Sequence, residues 1–550
     1  MIKINYKDLE IKEFPSGTTL KEISDSFKHY YNYPILIGQV ENDMTELSEP
    51  ITRSSKVNFY DKSSGVGNSI YGRTTQFLLV VAVKKVLGYD VEVIIDYSID
   101  KGYYAEIVGY DIDKNIVKQI EEKMHELVKM NLIITKFSVS RFDAIKYFKS
   151  KKQMDKVKVL KYISNSYINL YRIDDVYDYF YGDIAYSTSQ IDDFKLTYIK
   201  NNGFVLSYPT TYNPECTLDY VHHEMLFTKF SEYSKWGHII GVNNAADLNE
   251  IISEGKYNNL IRLSETYYNN QLSQIANEIY ENKNNIKLVL IAGPSSSGKT
   301  TSSKKLEVYL QSKGIKTHQI SIDDYFFDRD KTPKLENGEL DTESLNAVDV
   351  TLFNKHLSQL LEGKTVELPE YNFLIGKREY NGKKLKISDN DVIIVEGLHG
   401  LNDDLTSSIE RKQKYKIYIS ALTQINIDNH NRVHTSDTRK LRRIIRDNKY
   451  RSYNASKTLS MWKNIREGEE KFIFPYQDDA NYIINSALVY ELGILKTYAE
   501  PLLFSVPEDD PNYPEALRLI NLLRNFLPIP SDEIPKDSVL REFIGGSCFK

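Results

Sequence analysis

The chain has 550 residues, a formal net charge of −5 and 27% charged side chains of both signs. This length exceeds what one hydrophobic core supports and predicts three or four domains, while the mixed charge excludes a protein that coats nucleic acid or anionic membrane through bulk electrostatics. Only Cys216 and Cys548 occur, the first residues lack a secretory apolar region, and no run is long enough to span a bilayer; a soluble cytoplasmic protein without disulfides or a cysteine zinc site is expected.

Residues 1–62 hold short alternating runs (MIKINY, LEIKEF, ILIGQV, KVNFY) around one helical stretch, LKEISDSFKHYY, which predicts a small mixed β/α module. Its segment PSGTTLKEIS resembles the TGS module, a β-grasp domain found at the front of threonyl-tRNA synthetases and certain GTPases. Residues 63–215, with TTQFLLVVAVKKVLGYDVEVIIDYSIDKGYYAEI and GDIAYSTSQIDDFKLTYI, resemble the second, α+β domain of those synthetases, which edits mischarged tRNA. That domain uses a His-x-x-x-His pair and a later Cys/His pair. Here the four positions fall on Arg73, Phe77, Phe180 and Ile184, which support neither metal ligation nor acid–base chemistry. Residues 1–215 carry 28 basic and 29 acidic side chains, so RNA binding has no electrostatic footprint there.

Residues 216–283 turn helical and polar and read as a connector. His222, His223 and His238 lie in it, but adjacent histidines on a helix diverge, unlike an i, i+4 pair, and are expected to be solvated or core groups.

From residue 284 to 506 strands and helices alternate, the pattern of a mainly parallel α/β sheet whose ligands bind at the carboxyl ends of its strands. The run IKLVLIAGPSSSGKT ends in a match to GxxxxGK[ST], preceded by an apolar strand and followed by a helical pattern at Leu306, Tyr309 and Leu310. Gly293, Pro294, Ser295, Ser296, Ser297, Gly298, Lys299, Thr300 and Thr301 are therefore expected to cradle nucleotide phosphates. Two glycines allow the tight turn that converges backbone N–H groups on an anion, the helix start adds its positive end, Lys299 reaches the outer phosphates and Thr300 offers a hydroxyl to Mg²⁺. Asp323 and Asp324 end the strand HQISID, where a carboxylate could orient a hydroxyl, accept its proton or help hold Mg²⁺; Glu396 ends VIIVEG and suits a metal-side carboxylate. In LPEYNFLIGKREYNGKKLKI a hairpin is expected to turn at Asn381-Gly382, with Tyr371 and Phe373 on one face, available either to stack on a base or to pack within the strand. The run DTRKLRRIIRDNKYRS places Arg443, Arg446 and Arg451 along a helix and beyond, a device for neutralising a transferring phosphoryl group.

Together GPSSSGKT, ISIDDYF, LPEYNF before IIVEG, and LRRIIRDNKYR resemble uridine kinases within the uridine kinase and phosphoribulokinase superfamily, a P-loop NTPase-type fold. The resemblance implies ATP and Mg²⁺ as cofactors and Asp323 as general base. It places Phe326 and Glu343 near the sugar and base, Tyr371 and Phe373 beside the nucleobase, Arg443 on the substrate, and Arg446 and Arg451 on the ATP phosphates. The chain departs from the family where a base-reading histidine is usual; Gly376 stands there, followed by Lys377 and Arg378, and Glu343 replaces a shorter aspartate. The expected reaction is 5′-phosphorylation of a ribonucleoside, uridine or cytidine first. A sugar-phosphate kinase using Lys377 and Arg378, and an ATP-switched RNA-associated regulator, are the alternatives. Residues 507–550 read as an acidic loop and a short packing helix.

Overall fold

The structure is a computed structural model that describes every residue except 200–202, 335–337, 339, 342, 373–374 and 550. At the front, strands Ile2–Tyr6, Glu10–Phe14, Ile37–Val40, Asp43–Thr45 and Ser55–Tyr60 form one mixed sheet in which the first strand runs parallel to the last, the β-grasp arrangement. The helix Leu20–Asp25 packs Leu20 and Ile23 onto that sheet. It starts at a capping box in which Thr19 and Glu22 satisfy each other's backbone N–H groups.

The next region places the apolar helix Gly65–Leu87 beside an antiparallel sheet of Val93–Ile99, Gly102–Ile107, Lys195–Ile199 and Gly203–Ser207, with a second sheet of Thr135–Ser140, Tyr167–Ile173 and Val176–Tyr179. From Gly72 to Val83 the Gly65–Leu87 helix is buried at every position but Arg73, which explains its lack of a polar face. Helices Glu224–Ile240, Ala245–Ser253 and Tyr257–Glu281 follow. The longest of them lies along the phosphate-loop helix, where Tyr268 and Ser302 share a hydrogen bond of 2.5 Å.

The site is positioned by a five-stranded sheet in the order Thr317–Ser321, Val392–Glu396, Leu288–Ala292, Lys414–Ser420, Tyr482–Asn485, with every pairing parallel. Its central strand LVLIA is buried at all five positions, as expected of a parallel strand covered on both faces. The carboxyl ends of the first three strands bring residues 293–300, Asp323 and Glu396 to one edge, because Ile291 pairs with Glu396 and Ser321 pairs with Glu396.

One expectation is corrected. The hairpin does not turn at Asn381-Gly382: Glu370–Asn372 pairs with Lys377–Glu379, so the chain reverses between Asn372 and Lys377. Gly376 supplies φ +68° and donates its N–H to the Asn372 carbonyl at 2.8 Å, closing the turn. Asn381 and Gly382 instead bend the returning strand between this ladder and the pairing of Val366–Glu367 with Lys384–Leu385.

Candidate nucleotide and phosphoryl-transfer site

The loop of residues 293–300 is shaped by close approach. A Cβ on Gly293 would stand 1.9 Å from the Ile419 carbonyl oxygen, and Gly298 adopts φ +87°. Ser296 also lies in the left-handed region, at φ +59°. The hydroxyls of Ser296 and Ser297 are buried without a protein partner, and buried polar atoms of that kind call for a ligand or water. Lys299 Nζ folds back onto the carbonyls of Gly293 (2.9 Å) and Pro294 (3.2 Å). Burial holds its pKa below the usual lysine value, against the opposing pull of Glu396 and Asp323.

Thr300 Oγ1 donates to Glu396 Oε1 at 3.2 Å. A hydroxyl and a carboxylate side by side are hard oxygen donors, a set that fits Mg²⁺. Burial pushes the Glu396 carboxyl up to about 7, with Lys299 opposing and Asp323 reinforcing the rise.

The two neighbouring aspartates divide. Asp324 Oδ1 accepts the backbone N–H of Tyr371 at 3.2 Å and so anchors the hairpin. Asp323, placed by the short turn Ile322–Tyr325 whose N-cap Ser321 receives its N–H, faces Lys299 and Arg451. Burial raises its carboxyl while these two cations oppose the shift. Phe326, whose N–H donates to the Asp323 carbonyl at 3.3 Å, meets Tyr371 edge to face at 5.8 Å between ring centroids. Phe373 lies outside the described residues. The space beside Gly376 is taken by Arg329, whose Nε would lie 2.7 Å from an added Cβ. Arg378 donates to Asp349 at 3.0 Å, and only 13% of its side chain is exposed.

Glu343 is held close to Gly468, where an added Cβ would be 2.8 Å from its own Cβ. Its carboxyl is pushed to about 7, mainly by burial, with Arg443 pulling it down and Glu469 and Asp323 pushing it further up.

Arg443, Arg446 and Arg451 all sit on the helix Thr435–Arg451, and all converge on one buried carboxylate, Asp447, at 3.0, 3.4 and 3.4 Å. Arg443 also donates to Ser295 Oγ, which joins this helix to the phosphate loop. Two further arginines of the helix are structural. Arg439 pairs with the fully buried Glu469, whose Oε1 in turn accepts the Ser295 N–H at 3.0 Å, and Arg442 pairs with Glu491 and reaches the Ser296 carbonyl at 3.3 Å.

Sequence reasoning missed Asp447, Glu469 and Glu542. The i, i+4 spacings Arg443–Asp447 and Asp447–Arg451 were available as a signal for the first. Glu469 and Glu542 approach the loop only through the tertiary fold. His222 and His223 pair with Glu224 and Asp478, and no group of three or more potential ligands able to hold a metal ion occurs among the described residues.

The four positions in the front region form no such site. Phe77 and Phe180 pack ring to ring at 5.2 Å, Ile184 lies buried in the same apolar cluster, and Arg73 stacks over Tyr181 and donates to the Asp183 carbonyl. No helix among the described residues is long and apolar enough to cross a membrane.

Residues 288–491 match the family model described as Phosphoribulokinase / Uridine kinase family. Towards the N-terminus the chain is similar to threonine–tRNA ligases. That of Acetivibrio thermocellus is 27% identical over 269 residues, 46% of this chain and 41% of the ligase. That of Syntrophotalea carbinolica is 32% identical over 199 residues, 36% of this chain and 31% of the ligase. The chain thus spans less than half the length of these relatives. A solved structure described as a possible uridine kinase from Bacillus stearothermophilus is 24% identical and covers 24% of this chain and 70% of that one, with a TM-score of 0.20. The chain therefore joins a front region resembling threonine–tRNA ligases to a P-loop domain of the phosphoribulokinase/uridine kinase family.

Proposed function

We propose that the protein transfers the γ-phosphoryl group of ATP to the 5′-hydroxyl of a ribonucleoside, uridine or cytidine first, giving the monophosphate. The observation that carries this reading is the division of labour at residues 323–324. Asp324 fixes the hairpin that carries Tyr371, while Asp323 lies near Lys299 in the turn leading into Phe326, whose ring meets that of Tyr371 edge to face. A carboxylate in the same turn as an aromatic pair suits a flat base with a sugar hydroxyl directed at the phosphates.

In this reading Phe326, Tyr371 and Phe373 seat the base, and Glu343 accepts hydrogen bonds from the ribose. Asp323 aligns the 5′-hydroxyl and takes its proton. Residues 293–301 hold the donor phosphates, while Lys299, Arg446 and Arg451 neutralise charge as the phosphoryl group moves, with Arg443 on the substrate side. Phosphoryl transfer passes through a loose transition state, so positioning and neutralisation contribute more than strong deprotonation. Thr300 and Glu396, with Asp323 nearby, are the residues that would hold Mg²⁺, which when bound supplies charge neutralisation at the phosphates. The domain limits 1–62, 63–215, 216–283, 284–506 and 507–550 belong to the same proposal, as does a cytoplasmic location.

A sugar-phosphate acceptor finds less support. Arg378 is engaged by Asp349, which leaves Lys377 alone of the two cations that reading needs. The test is a panel of nucleosides and phosphorylated sugars with ATP and Mg²⁺, scored for phosphorylated product. Monophosphate from uridine or cytidine supports the proposal; turnover with a phosphorylated sugar and no nucleoside would overturn it.

A further inference from the structure

The last residues of the chain return to the phosphate loop. The short helix Arg541–Ile544 sets Glu542 against the first turn of the helix Lys299–Ser312, where Glu542 Oε2 accepts the backbone N–H of Thr301 at 3.2 Å and its hydroxyl at 2.8 Å. That amide belongs to the helix end whose N–H groups lack an intrahelical acceptor and attract anions. Val539 presses on the loop itself: a Cβ on Gly298 would lie 2.3 Å from its Cγ2. The charge of Glu542 acts on Lys299 and Arg446, two of the cations assigned above to the donor phosphates.

The backbone of this segment is firmly seated. Ser538, Val539, Leu540 and Phe543 are fully buried, Phe543 lies under the Arg442 guanidinium at 5.1 Å, and Lys449 Nζ donates to the Ile544 carbonyl at 2.7 Å. Glu542, like Arg541 before it, is only half-buried. Peeling away four buried side chains would cost more than exchanging one carboxylate, so the movable part is the Glu542 side chain, which can swing into solvent while its backbone stays.

We infer that Glu542 is an internal anion that competes with the phosphates of the donor nucleotide for Thr301 and the adjacent cations, so that the C-terminal segment sets the affinity for nucleotide from within the same chain. The inference rests on residues 293–301 being the donor site, and it does not depend on which acceptor is used. A polyphosphate entering the loop must displace the carboxylate. A neutral isostere at the same position offers no charge to displace.

The test is equilibrium binding of pyrophosphate, ADP and ATP to the full chain and to its E542Q and E542A variants, with thermal melting as a check on folding. E542Q is expected to bind all three about five- to thirty-fold more tightly than the wild type, with E542A changing in the same direction. Equal or weaker binding by both variants would overturn the inference, weaker binding marking Glu542 as a support for the loop. Wild-type protein that binds ADP but phosphorylates no nucleoside would count against the proposed acceptor and leave this inference standing. Protein that binds no polyphosphate in any form would overturn both.

Discussion

Two regions of this chain sit on scaffolds similar to those of enzymes, and their interiors differ. At positions 73, 77, 180 and 184 the front region is closed by packing: Phe77 against Phe180, Ile184 in the same cluster, and Arg73 folded onto Tyr181. Around the phosphate loop the reverse holds. Ser296 and Ser297 keep buried hydroxyls without partners, and Lys299 turns back onto carbonyls. A site closed by packing is filled with apolar contact, whereas one that is to receive an anion must leave polar groups imperfectly satisfied. The comparison teaches where chemistry resides more directly than either fold does.

The largest break in that comparison comes from the loop. Lys299→Ala is expected to lower kcat about a thousand-fold or more, with the melting temperature little changed, as measured by coupled detection of ADP release. Near-normal turnover would remove the loop from the mechanism. Asp447→Asn comes next. Removing the one carboxylate that gathers Arg443, Arg446 and Arg451 is expected to lower kcat/KM for ATP about ten- to a hundred-fold and to destabilise the fold by about 1–3 kcal/mol, because a buried charge cluster loses its centre.

The front region is tested by putting ligands back. The double variant Phe77→His, Phe180→Cys is expected to lose about 2–4 kcal/mol of stability in denaturant unfolding, since it replaces a packed ring pair by an imidazole and a thiol in an apolar cluster. Wild-type stability together with zinc binding would show that these positions are not closed by packing.

The smallest effect is one of pH. Glu396 is raised to about 7 by burial, above its unfolded value of 4.5, so its contribution to stability is present at low pH and is lost as pH rises through about 7. Glu396→Gln, neutral throughout, should therefore melt progressively above wild type between pH 5 and pH 8, reaching about 2 °C, with protein free of metal.

Much of the P-loop domain was legible in the sequence because its signals are local. The apolar run 288–292, the glycines of the loop and the acids following apolar strands each state their geometry within a few residues, and the parallel sheet follows from their order. The hairpin was misplaced because two glycines, Gly376 and Gly382, both adopt positive φ, and the Asn-Gly pair gave the stronger local signal while the strand pairing chose the other. The resemblance already favoured Asp323 over Asp324, but the bond that ties Asp324 to Tyr371, 47 residues away, is visible only in the fold. Glu469 and Glu542 lie 174 and 241 residues from their partners in the loop, and no local pattern announces contacts of that range.

The proposed chemistry lies in the P-loop domain and ends in a nucleoside monophosphate. The most direct measurement supplies γ-labelled ATP, Mg²⁺ and uridine or cytidine to wild type and to Asp323→Asn, and follows the label. Label is expected on the 5′-oxygen of the nucleoside, matched one for one by ADP, with a loss of about a hundred-fold or more in the variant. Label released only as inorganic phosphate, or transfer that persists unchanged without the Asp323 carboxylate, would contradict the proposal.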